Sequence, residues 1–123
     1  MSGKAVAERL QVKGQRRLAV LDAPSAVDRN LGVPDARAPA DVAEIVLLFV
    51  RNRAELDRSL APVVASLAPG AILWLAYPKL TSPHAGDLNR DIIAGLAPAY
   101  RLATVAQIAI DSDWSALRLK MEA

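Results

Sequence analysis

The chain has 123 residues, 53% of them hydrophobic but only 4% aromatic, with a net charge of +2 and no cysteine. Disulfides, thiolate metal sites and cysteine nucleophiles are therefore excluded, and one histidine, His84, cannot build a zinc site alone. One domain over residues 1–123 is expected, with an aliphatic core and about two thirds of the unfolded surface buried.

In chain order, "KAVAERLQV" reads as a short amphipathic helix carrying Val6, Leu10 and Val12 and closing near Gly14. "RLAVLD", from Arg17 to Asp22, is a buried strand, and "PSAVDRNLG" starts a helix at Pro24 and stops it at Gly32. "VPDARAPAD" has two prolines and permits a loop or a short edge strand. "EIVLLFV" is the central strand, continuous and apolar as a strand covered on both faces must be.

Asn52 with Glu55 makes a capping-box pattern that opens a helix with Leu56, Leu60, Val63, Val64 and Leu67 on one face. Pro62 is expected to kink or split it, because proline has no N–H to donate. "APG" turns the chain into the strand "AILWLAY", and after the loop "PKLTSPHAG", Asp87 is expected to cap a helix over "LNRDIIAGLA". "RLATVAQIAI" and "SALRLKM" form an antiparallel hairpin about "DSDW", the second strand half solvated because Leu117, Leu119 and Met121 alternate with Arg118 and Lys120.

Strands alternating with helices, then a hairpin, give an α/β sheet with helices on its faces. The segments "LAPGAILWLAYPK", "VAQIAI" and "SALRLKM", with the helices between them, resemble the C-terminal half of class I S-adenosylmethionine-dependent methyltransferases. "LLFVRNRAELDRSL", "LWLAYPK", Asp87-Leu88 and "IAIDSDWSALRL" resemble a family of small bacterial proteins defined only as a domain of unknown function. That family's "D-E-x-W-S-G" stands here as Asp111, Ser112, Asp113, Trp114, Ser115, Ala116.

The resemblance implies a Rossmann-like, three-layer methyltransferase-like sandwich, mostly parallel and closed by a C-terminal antiparallel hairpin. Its N-terminal half is expected to be shortened: only residues 23–43 separate Asp22 from Glu44, where the complete fold places three helices and two strands. A methyltransferase of this class also needs a glycine-rich turn after its first strand, and here the turn is Ala23, Pro24, Ser25, Ala26. Asp35, beside Pro34, is a turn residue before it is a ribose ligand. No cofactor is expected, S-adenosylmethionine included.

In a parallel sheet, the loops after the strands' carboxyl ends converge on one edge. That rule selects Asp22, Arg51, Tyr77, Lys79, Asp111 and Trp114 as candidate ligand-binding residues. In one reading Lys79, Arg51 and Asp111 ring a pocket for an anionic or polar ligand, with Tyr77 and Trp114 as its walls. In the other, Lys79 and Asp111 form a rim ion pair of little energetic value and the aromatics roof the core. No catalytic residue and no metal ligand is assigned; His84 reads as an exposed loop histidine, and no serine lies in a G-x-S-x-G elbow.

Two functional readings follow. The first is a non-catalytic module acting by association, with itself or with another protein, through an open edge at "DARAPA" or the terminal hairpin. The second is a small-molecule binder or minimal enzyme using the rim of Tyr77, Lys79, Asp111 and Trp114. Apolar runs too short for a membrane helix and an N-terminus without a signal-peptide core set the expectation of a cytoplasmic protein with no membrane partner. Nucleic acid is not an expected partner, since no aromatics interleave with the arginines.

Overall fold

The computed structural model describes residues 5–122. Its strands are β1 (Leu18–Leu21), β2 (Ile45–Phe49), β3 (Ile72–Pro78), β4 (Leu102–Ala109) and β5 (Trp114–Met121). Its helices are α1 (Val6–Arg9), α2 (Ser25–Leu31), α3 (Arg53–Ser66) and α4 (Arg90–Leu96), with 3₁₀ turns at Pro34–Ala36 and Ala97–Tyr100. The five strands make one sheet in the order β1-β2-β3-β5-β4. β1, β2 and β3 are parallel, and β5 runs antiparallel to both β3 and β4.

Alternation of side chains along the strands splits the core in two. Ile45, Leu47, Phe49, Trp74, Ala76, Trp114 and Ala116 pack with Ala7, Leu10, Val27 and Leu31 from the α1 and α2 side. Val46, Leu48, Leu73, Leu75, Tyr77, Leu117 and Leu119 pack with Leu56, Leu60 and Ile93 from the α3 and α4 side. Every residue of β2 is buried, as its unbroken apolar run requires.

Helix α1 ends earlier than its sequence suggests, and without glycine; the expected start at Lys4 lies outside the described residues. Val12 N donates to Ala7 O and Gln11 N to Glu8 O, the two bonds of a Schellman cap, with Gln11 in the left-handed region at φ 81°. The freed carbonyl of Leu10 accepts the Trp74 indole N–H at 3.1 Å, which ties the helix end to the sheet. α2 begins after Pro24 and stops at Gly32, φ 69°.

Three expectations are corrected in whole or in part. Pro62 lies inside α3, which it does not split. The carbonyl that loses its donor belongs to Arg58, and Arg58 and Pro62 are both exposed, so water can take the place of the missing bond. Asp87 does not cap α4; Asn89 does, its Oδ1 accepting from Ile92 N at 2.9 Å. β5 keeps the expected alternation over Leu117–Lys120 but not at exposed Met121, and because it lies inside the sheet between β3 and β4 the more solvated strand of the hairpin is β4. "DARAPA" supplies only a single parallel bridge, Leu18 to Arg37, on the outer side of β1.

No helix among the described residues is long and apolar enough to cross a membrane.

Candidate functional site

The carboxyl ends of β1, β2 and β3 and the turn between β4 and β5 meet at one edge of the sheet, because Pro78 at the end of β3 pairs with Trp114 at the start of β5. This edge holds the candidate residues, but in three environments, the first two sharing Arg51.

Asp22 follows β1 with φ 62°, a left-handed conformation that aspartate tolerates better than most side chains. Its carbonyl accepts from Arg51 Nη2 at 3.3 Å. Arg51 is held from a second direction: Glu55 Oε1 accepts from Arg51 N at 3.0 Å and from Nη1 at 3.3 Å. Asn52 Oδ1 accepts from Glu55 N at 2.9 Å, so the capping box forms with its return bond one residue upstream, on Arg51. A small polar recess between Asp22, Arg51, Arg58 and Ser59 results.

Trp114 is buried, with its ring edge-on to Phe49 at 5.1 Å between centroids and 67° between planes. The His84 imidazole lies over it at 6.4 Å and 27°. His84, Trp114, Arg51, Asp111 and Asp113 line a groove of about 580 Å³ against Pro24, Val27 and Asn30 of the β1–α2 segment. Asp111 is committed to the turn, its Oδ1 accepting from Asp113 N at 2.8 Å and Trp114 N at 2.9 Å.

Tyr77 and Lys79 belong to the other face. Tyr77 packs with the α3 and α4 cluster, and its hydroxyl accepts from Gln107 Nε2 at 3.0 Å. Burial raises the Tyr77 phenol above its ordinary range, with a hydrogen bond to Ser115 opposing the shift. With Lys79, Arg90, Asp91, Gln107 and Ser115 it lines a second hollow of about 430 Å³. Tyr77 and Trp114 therefore do not wall one pocket, and no ion pair joins Lys79 to Asp111 among the described residues. Lys79 reaches the hairpin only through its backbone, its N–H donating to Asp113 O at 2.8 Å.

Reading the sequence alone missed His84 as the cover of Trp114, and Arg90 and Gln107 as neighbours of Tyr77. Only the scarcity of aromatics hinted at the first. The loop that carries His84 is anchored by Asp87, whose Oδ1 accepts from Arg53 N at 2.8 Å and so serves the first turn of α3. No group of three or more metal-ligating side chains forms among the described residues.

No protein-family model matches the chain, and no curated protein matches it in sequence. Among solved structures it is similar to the mitomycin 7-O-methyltransferase MmcR, with a TM-score of 0.56 and 11% identity over 86% of this chain. The fold is methyltransferase-like. It is also similar to LepI in complex with SAM, at a TM-score of 0.54 and 10% identity over 95% of the chain. A structure described as a pericyclic reaction enzyme gives a TM-score of 0.51 and 11% identity. The chain spans 49% of the length of the first and 39% of each of the other two.

Proposed function

We propose that this chain is a methyltransferase-like module that has lost the cofactor half of the fold and works by protein association through the open edge of β4. The edge itself carries the proposal. Among the described residues β4 pairs only with β5, and its eight residues, Leu102–Ala109, contain no charge and no proline. An uncovered strand of this kind is a ready template for strand addition.

Two features of the other end of the sheet support the loss of the cofactor. The turn after β1 has aspartate, alanine and proline where a cofactor's approach needs glycine, and Pro24 has no N–H to offer. Among the described residues one bridge at Arg37 lies beyond β1 where a complete methyltransferase sheet places further strands, which is in keeping with a shortened half.

Photo-crosslinking in the native host tests this reading. A crosslinking side chain at Val105, which is 50% exposed on β4, is expected to trap a protein partner, and one at exposed Arg58 on α3 is not. No adduct at Val105 above the Arg58 control overturns it.

A second reading, a binder of small polar ligands, is favoured by the groove beside the His84–Trp114 stack. A thermal-shift series of phosphates and carboxylates tests it. Stabilisation by one of them that Arg51→Ala removes supports the reading, and no shift with any of them removes it.

A further inference from the structure

Resting on the association reading, we infer that the partner of the β4 edge is a second copy of this chain, paired antiparallel about a two-fold axis between Val105 and Ala106.

The inference comes from the register irregularity in β4. Thr104 pairs with Leu119 and Ala106 with Arg118, so Val105 is an extra residue, a β-bulge. A bulge reverses the parity of the backbone groups on either side of it. Before the bulge, Arg101 O accepts from Glu122 N on the β5 side, so Leu102 and Thr104 turn their N–H and C=O groups outward. After it, Ile110 N donates to Trp114 O and Ala109 O accepts from outside the sheet, so Gln107 and Ala109 face outward.

Even-numbered residues before the bulge and odd-numbered ones after it make a set that maps onto itself. The two-fold axis sets Leu102 opposite Ala109 of the second copy and Thr104 opposite its Gln107, and the reverse pairs follow by symmetry. Side-chain faces agree as well. Thr104 and Gln107 lie opposite Leu119 and Leu117, on the α3 and α4 face, and would meet as a polar pair. Ala103 would meet Ile108 on the other face.

Charge complementarity favours this occupant. The strand is free of charge, so no like charges face each other along it. Arg101, exposed and in no ion pair among the described residues, would lie opposite Ile110 of the second copy and next to its Asp111. The same contact recurs at the other end. At that end Arg9 Nη2 also donates to Ala109 O at 2.8 Å. A carbonyl oxygen has two lone pairs, so this bond and a ladder bond can share it.

The test is sedimentation equilibrium of the wild-type chain, Val105→Lys, Val105→Glu and an equimolar mixture of the two variants. Val105 is exposed, so both variants keep the monomer fold, which circular dichroism checks. The wild type is expected to dimerise with rising concentration. Each variant alone, placing like charges beside the axis, is expected to dissociate at least about tenfold more readily, and the mixture is expected to recover the dimer. Thr104→Pro, which removes an outward donor and no bond to β5, is expected to weaken the dimer too. A wild type that stays monomeric, or a dimer that neither charge substitution disturbs, overturns the self-pairing. Trapping of a different protein at Val105 in the host, with no self-adduct, overturns it while leaving the association reading intact.

Discussion

Tyr77 and Trp114 close the core from opposite faces of the sheet, although β3 and β5 bring them to adjacent rungs, Tyr77 with Ser115 and Pro78 with Trp114. Their losses should therefore differ in kind. Trp114→Ala removes the edge contact with Phe49 and the support of His84, and is expected to cost about 3–5 kcal/mol in urea denaturation. Tyr77→Phe keeps the ring volume and loses only the hydroxyl's bonds, an expected cost of about 1 kcal/mol. Equal costs would contradict this division of the core.

The Asp87 carboxylate tethers the loop after β3 to α3. Asp87→Ala should cost about 1 kcal/mol and deprotect the Arg53 amide in hydrogen exchange, while Asp87→Asn, which keeps Oδ1, should retain most of the protection. Unchanged exchange at Arg53 in the alanine variant would show that water serves that amide equally well.

Much of this fold was legible because single strong signals marked it. "EIVLLFV" and "AILWLAY" are strands on both readings, and Pro24, Gly32 and Asn52 bound their helices as the sequence says. The misreadings came where two residues compete for one role, or where a partner lies far along the chain. Asp87 and Asn89 are equally good caps for α4 in sequence, and only the proximity of Arg53 draws Asp87 away. Likewise, convergence of strand ends placed the six rim residues at one edge, but which face each takes depends on the β3–β5 register, which local patterns do not encode.

Gln11 holds the left-handed position of the α1 cap at φ 81°. Gln11→Gly should stabilise the protein by about 1 kcal/mol, the left-handed strain relieved less the added flexibility of the unfolded chain, and raise Tm by roughly 4 °C. A lower Tm would mean that the glutamine side chain makes a compensating contact.

Acid sensitivity has one identifiable source at the base of β1 and β2. The Arg17 backbone N–H, at 2.7 Å, and then the Arg17 guanidinium hold the Glu44 carboxyl below its ordinary value of 4.5. A depressed folded-state pKa gives stability that is complete above that ordinary value and lost as pH falls through the lowered one. Glu44→Gln should therefore flatten the acid limb of the stability curve below pH 4.5 and leave the slope near neutrality unchanged. An acid limb of unaltered slope would assign the sensitivity to other carboxylates.

The proposed function joins association at the β4 edge to the loss of a cofactor grip after β1, and titration calorimetry with S-adenosylmethionine tests that loss most directly. The account predicts no saturable heat at millimolar ligand, both for the wild type and for Asp22→Ala. Saturable one-to-one binding to the wild type that Asp22→Ala weakens would contradict it, and would return the β1 turn to the role its glycine-bearing counterparts perform.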